Sequence, residues 1–411
     1  MASVKLVRHP GDNRLSIPAR ASADARQTGA TVENMIHRGH SEARDPAEAV
    51  LQLYEQLRGP DMELVVFFCS SSYDLNALAC QIGRTFHGVQ VVGCTTAGEI
   101  GPLGYLDGGL AGIAFPTESF TAVSGRVDGL HDFAADAGEA LVSLLLGKLE
   151  ARAPDANEQS MFAFQMIDGL SLREESVTRA FQYALGRIPL LGGSAGDAAR
   201  FGHTHVFSEG AFREDSAVLI VASTSLPFMT FSTQHFVATE RRAVVTAADP
   251  ATRTVLEIDG FPATEGYARL VGVNPRELEP SFFSSHPVVV RIAGTDHARS
   301  IQKTGPDGSL VFYCAIEEGV VLRAAERGDL VAGLHDELAR VRHHLGTPSL
   351  VLTCDCILRK LEITQDGQKD RVAQILRRNN AVGFSTYGEQ LHGVHVNQTM
   401  TAIAFGHAEE R

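Results

Sequence analysis

The stretch VVGCTTAGEI, residues 91–100, carries an apolar strand into a corner made of two glycines, small hydroxyls and an acid. The corner recurs as PLLGGSAGD at 189–197 and as AVGFSTYGEQ at 381–390. Each copy stands in the same order of patterns. An apolar strand (LVVFFCS 64–70, MFAFQMIDG 161–169, SLVLTCDCI 349–357) leads to a helical stretch (LNALACQIGRTF, REESVTRAFQYALG, QKDRVAQILRRN). The corner strand comes next, then a Gly-rich turn and a further apolar strand (GLAGIAF 109–115, SAVLIVAST 216–224, NQTMTAIAFG 397–406). Short apolar runs bounded by glycine read as buried strands, and 3.6-residue spacing reads as amphipathic helix. Three divergent copies of a strand-helix-strand-turn-strand unit predict an α/β fold with mixed β-sheets.

Aligned on the corners, Gly93, Gly192 and Gly383 coincide, as do Gly98, Gly196 and Gly388. Thr95, Ser194 and Ser385 share a hydroxyl position, and Glu99, Asp197 and Glu389 share the acid. Glycine at such turns supplies positive φ or lets another backbone come close. An acid a few residues after a hydroxyl caps a turn or satisfies buried amides. Thr95, Gly98, Glu99, Ser194, Gly196, Asp197, Ser385, Tyr387, Glu389 and Asn397 are therefore the candidates to line a ligand pocket. Gly192–Gly196 also has the G-x-S-x-G spacing of a serine-hydrolase elbow. That elbow needs a helix after the serine, whereas AGDAARFGHTHVFSEG has no helical periodicity. A position repeated three times is structural or ligand-lining before it is a nucleophile, so the hydrolase reading ranks third.

At 411 residues the chain is long for one ordinary core, and two domains are the default. Residues 1–42 are polar and aperiodic and read as a flexible N-terminal arm. DPAEAVLQLYEQL, 45–57, opens with the Asp-Pro signal of a helix start. Between the second and third copies, VLEIDGFPATEGYARLVGV (255–273) and the alternating segments of 286–325 read as a strand, a helix and an antiparallel meander. A boundary near TAADPATR divides two α/β halves, 43–247 and 248–411. The net charge of −13 excludes a basic nucleic-acid footprint and attraction to anionic lipid. No apolar run spans a bilayer and no secretory h-region opens the chain, so the expectation is a cytoplasmic protein without a membrane partner.

Six cysteines lie mostly in apolar segments and read as buried reduced thiols. Cys354 and Cys356 lack a second pair and read as core thiols rather than as metal ligands. The sixteen histidines include pairs at 203/205, 343/344 and 392/395, each read first as hydrogen-bonded structural residues.

The corners VVGCTTAGEI and LLGGSAGD, with VLEIDGFPATEGYARL, DGSLVFYCAIEEGVVL, CDCILRKLE and GFSTYGEQLHGVHVNQTMTAIAFG, resemble the FIST family over roughly residues 45–407. The resemblance implies a FIST N-terminal and a FIST C-terminal half, and a sensor of small ligands rather than an enzyme. QHF, RSIQ and CDCILR are similar to NosP-type members, which implies non-covalent haem b, a response to nitric oxide and a partner histidine kinase. With no kinase or cyclase region in the sequence, output is expected to pass through that partner. For the haem iron we rank His235, between Phe231 and Phe236, and His395, after the third corner, ahead of His286. The alternative is a FIST sensor of a small polar metabolite such as an amino acid, held at the acid-bearing corners.

Overall fold

The computed structural model describes residues 35–408 apart from Pro60, Glu279 and Ala293. In the first unit, β1 (His37–Ser41) and α1 (Pro46–Leu57) precede β2 (Met62–Ser70), α2 (Leu75–Thr85) and β3 (Gln90–Thr96). A hairpin of β4 (Glu99–Gly101) and β5 (Gly104–Leu106) follows, then β6 (Leu110–Pro116). β7 (Phe120–Asp128) and α3 (Ala135–Arg152) lead to the second unit. It consists of β8 (Met161–Ile167), α4 (Glu174–Leu185), β9 (Leu190–Ser194), the hairpin β10 (Val206–Ser208) and β11 (Ala211–Arg213), and β12 (Ser216–Thr224).

After β13 (Phe228–Thr233) comes an inserted lobe. Its elements are β14 (Phe236–Asp249), β15 (Thr254–Ile258), β16 (Phe261–Pro262), α5 (Ala263–Val271), α6 (Pro280–Ser285), β17 (Val288–Ile292), β18 (Thr295–Arg299), β19 (Ile301–Thr304), β20 (Leu310–Phe312) and β21 (Val321–Arg327). The third unit runs α7 (Leu330–Leu345), β22 (Leu350–Cys356), α8 (Ile357–Gln365), α9 (Lys369–Arg378), β23 (Ala381–Thr386), β24 (Glu389–Leu391), β25 (Val394–Val396) and β26 (Met400–Phe405).

The three units build three six-stranded sheets of one plan: β1-β6-β2-β3-β10-β11, β7-β12-β8-β9-β24-β25 and β13-β26-β22-β23-β4-β5. In each, the pair flanking the unit's helix is parallel (β2/β3, β8/β9, β22/β23) and the other pairs are antiparallel. The last two strands of every sheet come from another unit. The first unit's hairpin extends the third sheet, with Phe384 opposite Glu99. The second unit's extends the first, with Phe207 opposite Gly93. The third unit's extends the second, with Glu389 opposite Gly193. Each hairpin thus covers a sheet edge that would otherwise expose unpaired backbone groups, and the exchange closes on itself. One chain turns the same corner three times because each corner sends a hairpin to a neighbouring unit.

The inner faces of the three sheets meet in one core, where Phe68 stacks on Phe384 at 4.6 Å and Phe405 meets Phe120 and Phe162 at 5.4 and 5.2 Å. The outer faces are covered by α1 and α2, by α3 and α4, and by α7 and α9. Strands buried on both faces lose polar alternation, which is why LAGIAFP and MTAIAF read as unbroken apolar runs. Asp45 caps α1 by accepting from Glu48 N at 2.9 Å, with Pro46 at the first helical position, as the sequence signal required. The inserted lobe has its own core around Val245, Ile258, Tyr267 and Leu322.

The mixed α/β class with mixed sheets is as expected. Three details differ from the sequence reading. His37–Ser41, assigned to the arm, pairs with the free edge of β6 from His37 opposite Ala114 to Ser41 opposite Leu110; residues 1–34 lie outside the described residues. The boundary at 247/248 falls inside β14, which pairs with both β15 and β21, so the lobe is not cut there. Cys80 is exposed on α2, while the other five thiols are buried. Among the described residues no helix is long and apolar enough to cross a membrane.

Candidate functional site

Where the hairpins cross, the three corners bond to one another through backbone. Gly196 N donates to Thr95 O at 3.0 Å and Ala198 N to Thr96 O at 3.1 Å. Ala97 N donates to Ser385 O at 2.9 Å and Ser385 N to Gly98 O at 2.7 Å. Ser194 N donates to Gly388 O at 2.9 Å, which closes the ring. Such close approach requires glycine. A Cβ on Gly93, Gly192 or Gly383 would lie 2.5, 2.1 or 1.7 Å from the carbonyl oxygen of its parallel-strand neighbour, Phe67, Gln165 or Thr353.

A buried carboxylate ties the first and third corners, and in the second unit the loop before β10, to the residue before the unit's last strand. Glu99 accepts from the Thr96 hydroxyl at 2.6 Å and from Gly109 N at 2.9 Å. Glu389 accepts from the Thr386 hydroxyl, and from Thr399 N and Oγ1 at 3.2 and 2.6 Å. In the second unit this role falls to Asp168, which accepts from the Thr204 hydroxyl and from Asp215 N at 2.5 Å. Burial pushes Glu99 up to about 7 and Glu389 up to about 8, against the hydrogen bonds from Thr96 and Thr386. The hydroxyls on these acids are Thr96 and Thr386, one residue beyond the alignment drawn from sequence. Asp197 is no equivalent of the two glutamates: it caps the 198–203 loop, accepting from Phe201 N, Gly202 N and His203 N and from Tyr387. Burial pushes Asp197 upward, but these donors hold it below its ordinary value.

The ring is a structural lock. None of the ten expected pocket residues lines the large cavity described next, and Tyr387 borders a 60 Å³ cavity beside Phe201 and Tyr313. Ser194 is fully buried, and its Oγ accepts from Gln390 Nε2 at 2.9 Å. The chain after it enters a loop and then β10 rather than a helix, so the elbow geometry is missing. Around Gly388 lies a patch of buried polar atoms without protein partners: His395 Nε2, Gln390 Oε1 and both side-chain amide atoms of Asn397. In native proteins such atoms are satisfied by water or a ligand.

A cavity of about 910 Å³ opens beside this patch, between α4, the β24–β25 hairpin and the inserted lobe. Glu175, Ser176 and Arg179 present one face of α4 to it, and Gly393, Val394 and His395 form the hairpin wall. The lobe adds Val290, Ile292, Ile316 and Val320 with Arg291, Arg299 and Arg323. Arg253, 5% exposed, braces the floor by pairing with Glu174 at 2.5 Å and Glu175 at 2.8 Å and donating to Tyr313 O at 2.8 Å. Burial pushes Glu174 up to about 7 despite Arg253. Burial also pushes on Glu175, but the charges of His395 and Arg253 and the Ala315 N–H bring it down to about 2. Because burial lowers His395 to about 4 and leaves it neutral at pH 7, Arg253 and Ala315 are what keep Glu175 ionised there.

The three histidines ranked from sequence are separated. His395, 2% exposed, lines the cavity; its Nδ1 meets Gln390 Nε2 at 3.2 Å and its Nε2 is unpartnered. His235 lies in the connection between β13 and β14, with Nε2 at 2.8 Å from Glu362 and Nδ1 at 3.5 Å from Arg359. Both its nitrogens are engaged. Burial, ahead of the opposing pull of Glu362, lowers its pKa. His286 stacks on Phe282 at 4.0 Å, with Nδ1 near Ser285 Oγ and Phe282 O. His203 and His205 both contact Glu214, and no group of three metal-ligating side chains forms among the described residues.

Sequence reasoning missed Asp168, Glu175, Arg253, Arg299 and Gln390. Glu174 and Glu175 open a helix, where acids read as solvated dipole partners, and Arg299 follows Asp296 and His297 in an alternating strand that reads as half exposed. The one available signal was a charge that ends an apolar run, as Asp168 does in MFAFQMID.

Residues 63–260 match the FIST N domain and residues 263–392 the FIST C domain. The chain belongs to the FIST family, whose domains are signal-transduction sensors. No curated protein matches it. Among solved structures, one titled "Cyanuric acid hydrolase: evolutionary innovation by structural concatenation" is 10% identical with a TM-score of 0.37, covering 91% of this chain and 100% of that one. The cyanuric acid hydrolase from A. caulinodans is 10% identical with a TM-score of 0.34, covering 90% of this chain and 99% of that one. Both likenesses are too weak to bear on fold or chemistry.

Proposed function

We propose that this protein is a cytoplasmic sensor that holds b-type haem non-covalently in the cavity between α4 and the inserted lobe, answers nitric oxide and regulates a partner histidine kinase. The observation that carries this reading is His395, a neutral buried histidine that lines a 910 Å³ cavity and whose Nε2, beside Gly388, has no hydrogen-bond partner. A haem site needs an imidazole donor on an apolar wall, and Val290, Ile292, Ile316 and Val394 supply such a wall. Arg179 and Arg299 border the same space and suit the carboxylates of the macrocycle. Bound haem would supply the gas-binding iron; the chain's own part is to offer the imidazole, exclude water and neutralise the carboxylates. Haem added to the purified protein should give a Soret band that shifts with nitric oxide. His395→Ala should lose that band while His235→Ala keeps it. A wild-type protein that stays colourless with stoichiometric haem ends this reading.

A second reading, a sensor of a small polar metabolite such as an amino acid, is favoured by Glu175 on α4 and Arg299 on the lobe, which line the same cavity. A zwitterion needs one group of each sign. This moves the expected site from the corners to the cavity. Ligand at 100 times its dissociation constant adds about 2.7 kcal/mol, so a thermal-shift screen of amino acids decides it; a screen in which none moves the midpoint removes it.

A further inference from the structure

We propose that Arg299 is the anion receptor of this cavity and that it takes one carboxylate of an otherwise apolar ligand. The inference rests on the cavity being the sensor's input site. Arg299 ends β18, is 7% exposed and lines the cavity. Its guanidinium donates to His395 O at 3.0 Å and Ala298 O at 3.5 Å, and among the described residues no carboxylate lies within 4.0 Å of it. The two other buried arginines differ in this respect. Arg253 holds Glu174 and Glu175, and Arg359, 1% exposed, holds Asp355 at 2.7 Å. A guanidinium does not shed its proton to escape burial, and a buried charge without a counter-charge is strongly unfavourable. Glu175 lines the same cavity from α4 but is already engaged by Arg253 and Ala315 N. The missing negative charge therefore belongs to the ligand.

The surroundings set its chemistry. Val290, Ile292, Ile316 and Val394 favour an apolar body. Ionised Glu175, with Glu317 also lining the cavity, weighs against a phosphate monoester, which would set two negative charges on one group. One carboxylate matches one planar guanidinium fork.

The test uses the full chain, with hexanoate, benzoate and hexanamide as probes in thermal unfolding and isothermal titration. Hexanoate should bind and raise the midpoint, and hexanamide at equal concentration should not. Arg299→Gln should weaken hexanoate by about tenfold or more, whereas Arg58→Gln, which breaks an exposed pair with Glu55 on α1, should change it less than about threefold. Hexanamide matching hexanoate, an unaltered affinity in Arg299→Gln, or no binding of hexanoate, benzoate or haem would overturn the proposal. If Arg299→Gln fails to fold, the hexanoate–hexanamide comparison in the wild type decides alone. Haem separates the two readings. Haem held equally well by wild type and Arg299→Gln keeps the haem reading and removes the receptor, while selective hexanoate binding by a chain that takes no haem does the reverse.

Discussion

Replacing Glu389 with Gln should stabilise this protein at alkaline pH, although it exchanges one hydrogen-bonded carboxylate oxygen for an amide nitrogen. Glu389 is fully buried at the third corner, and burial raises it from an ordinary 4.5 to about 8. A carboxyl whose folded-state value lies above its unfolded one binds its proton more tightly in the folded chain. The contribution of Glu389 to stability is therefore greatest below pH 4.5, falls as pH rises through the window from 4.5 to about 8, and levels off above it. At 1.36 kcal/mol per pH unit the loss across that window is roughly 3–5 kcal/mol. Glutamine copies the protonated form: its carbonyl can accept from Thr399 N and Oγ1, and its amide can donate to Thr386 Oγ1. Urea unfolding of wild type and Glu389→Gln at pH 5, 7 and 9 measures the difference. The variant should lie within about 1 kcal/mol of wild type at pH 5 and exceed it by about 2–4 kcal/mol at pH 9. Glu99 and Glu174 also titrate upward, but they do so in both proteins and cancel from the comparison. A difference that stays constant with pH, or turns against the variant at pH 9, refutes the argument that the corner carboxyl is held protonated.

Other outcomes follow from the same geometry. Gly388→Ala places a Cβ 2.2 Å from His395 Cε1 and 2.6 Å from Nε2, so it should cost about 1–3 kcal/mol in thermal unfolding and reduce binding in the cavity; an unchanged midpoint and unchanged binding would count against the packing described. Arg253→Gln leaves Glu174 and Glu175 without their cation and should lose about 3–5 kcal/mol at pH 7.5, whereas Arg291→Gln, which breaks an exposed pair with Asp296, should leave the urea midpoint unmoved. Native protein should show one fast-reacting thiol, Cys80, and six after denaturation; a second fast thiol would contradict the burial of the others. Ser194 should stay unlabelled by a fluorophosphonate probe, since no solvent reaches it.

Much of the architecture was written in local pattern. The repeat of strand, helix, corner and strand follows from apolar periodicity and glycine placement, which neighbouring residues settle among themselves. The Gly93, Gly192 and Gly383 alignment was legible because a parallel strand passing too close for a Cβ leaves only glycine possible. The Asp-Pro start of α1 was legible for the same local reason. The sequence also pointed to the family, through stretches such as GFSTYGEQLHGVHVNQTMTAIAFG. Tertiary structure alone decided which sheet each hairpin joins, because any free strand edge can accept a hairpin and the sequence of a three-residue strand does not name its partner. It alone decided that Asp168, from the end of β8, takes the place that Glu99 and Glu389 hold elsewhere. It also separated His395 from His235, two buried histidines that local sequence could not rank: one borders a cavity with a nitrogen unpartnered, the other is tied to Glu362 and Arg359. The cavity draws on residues 175–179, 290–323 and 393–395, segments that meet only because the lobe is inserted before the third unit closes the body. A buried charge is visible in a sequence as a letter, but whether it has a partner is a fact of three dimensions, and that is why Arg299 went unread.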